Sequence, residues 1–112
     1  MEQTPRDEAL GRSAHEVLRA LRNGDELLLV CAYDSPVSLA KFPLPGALDL
    51  AGLREGEAQL GRDSELVFYC WCPQDKTSKE RAREWRARGF RRANFLLGGV
   101  DAWRSAGARL AR

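Results

Sequence analysis

Two runs of the chain are apolar at every position rather than at every second one: Leu27 to Ala32 and Leu66 to Cys70. A strand with one wet face alternates. Short, uniformly apolar strands suit burial on both faces, as in a parallel sheet under helices. The intervening segments carry helical signals. Ser13-Ala14-His15-Glu16 has the spacing of a capping box, and Ala14, Val17, Leu18 and Leu21 then recur at helical intervals until Asn23-Gly24. Thr77-Ser78-Lys79-Glu80 is a second capping box, opening a helix with Ala82 and Trp85 on one face and Gly89 at its end. A helix over 79–88 is long enough to cross over between parallel strands.

The remaining segments fill in around this frame. Thr4-Pro5-Arg6-Asp7 reads as a short helix start. Asp34 to Pro45 holds three prolines and reads as irregular. Ala47 to Leu50 suits a short edge strand, and 51–60 a helix weakened by Gly52 and Gly56. Phe90 to Leu97 contains a third strand, ended by Gly98-Gly99, and Val100 to Ser105 forms a last short helix. Trp85 and Trp103 lie on helical faces that suit the core. The expected fold is a single α/β domain with a small, mostly parallel sheet flanked by helices. Residues 1–12 form an N-terminal extension and 13–112 the domain.

Composition removes several classes. The 112 residues suit one domain, and 44% hydrophobic with 30% charged content excludes a disordered or collagen-like chain. The longest apolar run, Leu27 to Tyr33, is seven residues, whereas a membrane-spanning helix needs about 20. The opening segment MEQTPRDEAL lacks the apolar core of a secretory signal. Charge is uneven: residues 1–78 carry 8 basic and 13 acidic groups, and residues 79–112 carry 10 basic and 3 acidic. No aromatic interleaving or recognition motif accompanies the basic half, which argues against nucleic acid and for a solvated face or a lure for small anions. Arg83, Arg86, Arg88, Arg91 and Arg92 belong to that face. Three cysteines, an odd count, argue against a disulfide scaffold and for a reduced, cytoplasmic protein.

Cys70 is the residue most suited to chemistry. It ends a buried strand, ahead of a polar loop and a capped helix. Backbone N–H groups of such a turn, with the helix N-terminus, stabilise an anion and so lower the pKa of a cysteine at its base. Trp71, Cys72, Gln74, Asp75, Lys76, Thr77 and Ser78 form the candidate anion-binding loop, with Lys76 adding a positive charge. The plain alternative is a buried strand-end cysteine without chemistry. Trp71 suits either contact with an acceptor or partner or folding back over the core. Three cysteines and His15 equal a zinc-binding set in number, but His15 lies far along the chain on a helix start, and no metal is expected.

Four segments together resemble the rhodanese-like domain family. They are Leu28-Leu29-Val30-Cys31-Ala32-Tyr33; Leu44-Pro45-Gly46-Ala47; Val67-Phe68-Tyr69-Cys70 with Ser78 and its helix to Gly89-Phe90; and Leu97-Gly98-Gly99-Val100-Asp101-Ala102-Trp103 with Ala106-Gly107. The resemblance covers about residues 14–110. It implies a sulfurtransferase without cofactor or metal. In active members a strand-end cysteine, here Cys70, takes a sulfane sulfur from a small anionic donor such as thiosulfate or from a persulfide. It then passes the sulfur, as a persulfide, to a thiol or protein acceptor. Other members are non-catalytic interaction modules, and a branch with a longer, arginine-ended loop hydrolyses phosphate esters.

This chain departs from the family pattern at several points. Cys31 and Tyr33 replace an acidic and a basic residue, and Phe42-Pro43 replace a Gly-His pair. The loop has no glycine and no arginine, and Pro73 removes one N–H. Counting back from Ser78 by the family's spacing reaches Cys72, whereas continuing the strand reaches Cys70. Cys70 is favoured because the strand fixes its position, and Cys72 is the alternative nucleophile or a resolving thiol. Cys31 ends a neighbouring strand and is either a further resolving thiol or an ordinary buried hydrophobe. Fewer aligned donors imply low turnover on thiosulfate.

Overall fold

In the computed structural model, residues 11–107 are described. Strand β1 (Gly11–Arg12) is followed by α1 (Ala14–Arg22), β2 (Leu27–Cys31), α2 (Pro36–Lys41), α3 (Leu50–Gly56), β3 (Glu65–Tyr69), α4 (Lys76–Ala87), β4 (Ala93–Leu96) and α5 (Gly99–Ser105). The strands lie in the order β1-β4-β3-β2 and every pairing is parallel. The two uniformly apolar runs are therefore neighbours, with Leu27 opposite Glu65 and Cys31 opposite Tyr69.

Each face of the sheet has its own core. One joins Val30, Leu66, Phe68 and Phe95 to Leu50 and Leu53 of α3 and to Ala82 and Trp85 of α4. The other joins Leu29, Cys31, Val67, Tyr69 and Leu96 to Ala14 and Val17 of α1 and to Val100 and Trp103 of α5. Every residue of β3 is buried. Burying a large apolar side chain contributes about 1.5–3 kcal/mol, so β3 is the most firmly held strand, and Cys70 continues it.

The Ser13 capping box forms as the spacing predicts, with reciprocal bonds to Glu16. Other expectations are corrected. The helix after the loop begins at Lys76, and no side-chain cap forms at its start. The Ser78 hydroxyl instead donates back to the Asp75 carbonyl at 3.1 Å. Residues 36–41 are helical despite the prolines, because Pro36 stands at the first helical turn, where a missing N–H costs nothing. The expected edge strand at 47–50 reduces to one bridge, Leu48 to Val30, and Leu50 already opens α3. Gly11–Arg12, placed by the sequence reading in an extension, pairs with Phe95 and Leu96 of β4. The helix start read at Thr4-Pro5 lies outside the described residues. Among the described residues, no helix is long and apolar enough to cross a membrane.

A polar network ties the amino ends of the strands. Glu65, only 3% exposed, meets Arg12, Arg92 and Asn94, and Asn94 Oδ1 accepts from Arg86 at 2.6 Å. Arg88 grips Glu57 with one nitrogen on both carboxylate oxygens, and Arg91 pairs with Asp63. Of the arginines read as solvated, these hold the amino edge together. Helix α4 starts at the carboxyl edge of the sheet, so its arginine-rich end lies away from Cys70.

Candidate active site

Cys70 directly follows β3 at the carboxyl edge, and its side chain is fully buried. The backbone there is held on both sides. Val100 N–H donates to the Cys70 carbonyl at 3.2 Å, and Ala32 N–H to that of Tyr69 at 2.9 Å. Gly99 makes the first contact feasible: its φ is +55°, and a Cβ there would overlap the Cys70 carbonyl oxygen. The Gly98-Gly99 pair thus serves a close approach to the loop as well as a turn.

The loop itself is short and crowded. Gln74 and Asp75 have φ of +58° and +57°, in the left-handed region that glycine usually fills. Each such residue costs about 1–2 kcal/mol, and side-chain and backbone bonds hold Asp75 there. Asp75 Oδ2 accepts from Gly98 N–H at 2.9 Å. The Asp75 carboxylate therefore joins two loops. Thr77 N–H, in the first turn of α4, donates to Cys72 Sγ at 3.3 Å. Ser78 is buried with its Oγ 3.6 Å from Cys70 Sγ. Lys76 and Gln74 are exposed and, with Lys79, Glu80 and Arg83, line a hollow beside the loop.

Cys70 and Cys72 are joined as a disulfide, with Cα atoms 5.7 Å apart. The loop turns Cys72 back onto the strand end, so the sulfurs of the two residues meet. In this state the loop is not an open cradle of N–H groups. Trp71 N–H donates to Tyr33 Oη, Asp75 N–H to the Cys72 carbonyl and Lys76 N–H to the Pro73 carbonyl. The Thr77 N–H is the one of these loop donors that meets a sulfur.

Cys31 does not join this site. It pairs in register with Tyr69, so it faces the α1–α5 core while Cys70 faces the α3–α4 core. Burial is the main cause that pushes the Cys31 thiol above its ordinary pKa, and burial likewise raises the Tyr69 phenol. A resolving role for Cys31 would require crossing the sheet. His15 is exposed on α1.

Trp71 folds back over the molecule. Its ring centroid lies 4.5 Å from those of Tyr33 and Phe42, and the Arg104 guanidinium stands 5.2 Å from the Phe42 centroid. The Tyr69 hydroxyl donates to the Phe42 carbonyl at 2.8 Å. Tyr33 and Phe42, two of the positions at which the sequence departs from the family pattern, thus hold the start of the loop. The departures were visible as substitutions, but nothing in their spacing revealed the contact with Trp71. The bond from Gly98 to Asp75 was signalled only by the glycine pair.

No protein-family model matches the sequence, and no curated protein matches it. Solved structures do match the fold. A rhodanese-like domain from Anabaena superposes with TM-score 0.73 at 18% identity, covering 90% of this chain and 77% of that one. A thiosulfate sulfurtransferase from Pseudomonas aeruginosa gives 0.73 at 17% identity, over 93% of this chain and 20% of the other. A protein of unknown function from Rhodopseudomonas palustris, described as a possible tyrosine phosphatase, gives 0.72 at 20%, over 92% and 85%. The chain has a rhodanese-like fold: a single α/β domain with a four-stranded parallel sheet between helices.

Proposed function

We propose that this chain is a sulfurtransferase that uses Cys70. The observation that carries the reading is the position of Cys70: it ends the most buried strand, one short loop before the N-terminus of the twelve-residue α4. In the reduced protein its thiolate attacks the sulfane sulfur of thiosulfate or of a persulfide. A bond forms between Cys70 Sγ and that sulfur, and sulfite or a thiolate leaves with the electron pair of the broken bond. An acceptor thiolate, or cyanide, then attacks the outer sulfur and returns Cys70 as thiolate. The amino end of α4 favours negative charge at the loop, where its Thr77 N–H meets Cys72 Sγ. Lys76, Lys79 and Arg83 beside the loop draw a small anion toward it.

Phosphate-ester hydrolysis is disfavoured, because residues 71–77 include no arginine to clamp a phosphoryl group. The competing reading is an interaction module without catalysis. Thiocyanate formation from thiosulfate and cyanide separates them. The pre-reduced protein is expected to form thiocyanate slowly and Cys70→Ser to form none. Equal rates in both would reject the proposal.

A further inference from the structure

We infer that Cys72 resolves the Cys70 persulfide, so that the chain converts sulfane sulfur to hydrosulfide at the expense of a dithiol. The inference rests on the sulfurtransfer reading of Cys70 and adds a second half to it. The juxtaposition that carries it is the sulfur of Cys72 turned onto Cys70 Sγ, with Cα atoms 5.7 Å apart, inside the range of about 4.4–6.8 Å that a disulfide requires. The sulfurs of the two residues therefore face each other at the start of the loop.

A second observation concerns the nucleophile. Thr77 N–H, at the start of α4, lies 3.3 Å from Cys72 Sγ. A donor in that position favours the thiolate, the form that attacks a sulfur. Attack falls on the inner sulfur, Cys70 Sγ, because that is the atom against which Cys72 is packed. The Cys70–Cys72 bond forms, the bond from Cys70 Sγ to the outer sulfur breaks, and the outer sulfur leaves with the electron pair and the proton of the protonated persulfide as hydrosulfide. Two thiolates are oxidised to the disulfide, and the sulfane sulfur takes up the two electrons.

The exposure of the two residues sets the order of recovery. Cys70 is fully buried, whereas Cys72 is partly exposed. A small-protein or low-molecular-weight dithiol attacks Cys72 Sγ, releasing Cys70 as thiolate beneath the loop. The second thiol of the reductant then displaces Cys72 and carries away the oxidation as its own disulfide.

The test is a single turnover of pre-reduced, desalted protein with thiosulfate and no added thiol or cyanide. Sulfite, hydrosulfide and remaining thiols are counted. The parent chain is expected to release one hydrosulfide for each sulfite and to lose both loop thiols to a disulfide. Cys72→Ser is expected to release sulfite, retain the sulfur as an adduct on Cys70 and yield hydrosulfide at least about 100-fold more slowly, the scale of losing a positioned nucleophile. A stable adduct on the parent chain without hydrosulfide, or hydrosulfide from Cys72→Ser at the parental rate, overturns the inference and leaves sulfur transfer standing. Sulfite from neither protein overturns the sulfurtransfer reading and this inference together.

Discussion

Replacing Gly99 by alanine tests whether the turn after β4 sets the position of Cys70. The perturbation has two parts. At φ +55° an alanine is held in the left-handed region, at a cost of about 1–2 kcal/mol. Its Cβ also overlaps the Cys70 carbonyl oxygen, which is the acceptor of Val100 N–H. Moving the carbonyl away breaks that bond in a buried setting, a further cost of about 1–3 kcal/mol. Gly24→Ala is the control: its φ is +80°, yet nothing lies within 4 Å of the added Cβ. It carries the conformational part alone. Gly99→Ala should therefore be less stable than Gly24→Ala by about 1–3 kcal/mol, and each kcal/mol lowers Tm by about 4–8 °C in a domain near this size. Thermal melts of both variants measure this. A displacement of about 1 Å at Cys70 should also slow adduct formation by roughly 100-fold. Equal melting temperatures for the two variants would refute the argument that the glycine exists for its contact with the loop.

Two further outcomes follow from buried polar groups. Cys31 and Tyr69 both have raised pKa values in the folded chain, chiefly from burial. Below the ordinary thiol pKa of about 8.5 their full contribution to stability is present. Above it the unfolded chain loses these protons first, so stability falls as pH rises. In the disulfide form, Cys31→Ala should make that alkaline fall shallower by up to about 1.4 kcal/mol per pH unit, read from urea midpoints at several pH values; an unchanged slope would contradict it. At the opposite edge, Glu65→Ala strands Asn94 Nδ2 and separates Arg12 from β3. It should cost about 3 kcal/mol or more in urea denaturation, and a loss below about 1 kcal/mol would show that the network is dispensable.

The sheet was legible because its signal is local and uniform. Leu27 to Cys31 and Leu66 to Tyr69 are apolar on both faces, and a parallel sheet between helices satisfies that. The Ser13 box was legible for the same reason, since its partners are three residues apart. What failed depended on the path of the loop, even where the partners are close in sequence, or on contacts distant along the chain. The start of α4 is set by Ser78 bonding back to Asp75, and the positive φ values at Gln74 and Asp75 carry no glycine to announce them. The pairing of Gly11–Arg12 with β4 involves too few residues to show a pattern. Cys70 could be picked out as the end of a strand. That Cys72 folds onto it, while Cys31 faces the other core, requires the loop's path and the strand register.

The most direct test of the central claim is intact-mass spectrometry and peptide mapping of pre-reduced Cys72→Ser protein exposed to thiosulfate. Removing Cys72 keeps the adduct from being resolved. The account predicts a gain of one sulfur atom on the peptide that contains Cys70, removed by cyanide and absent when Cys70 is also replaced by serine. No sulfur adduct, or an adduct that persists after Cys70 is replaced, would contradict it.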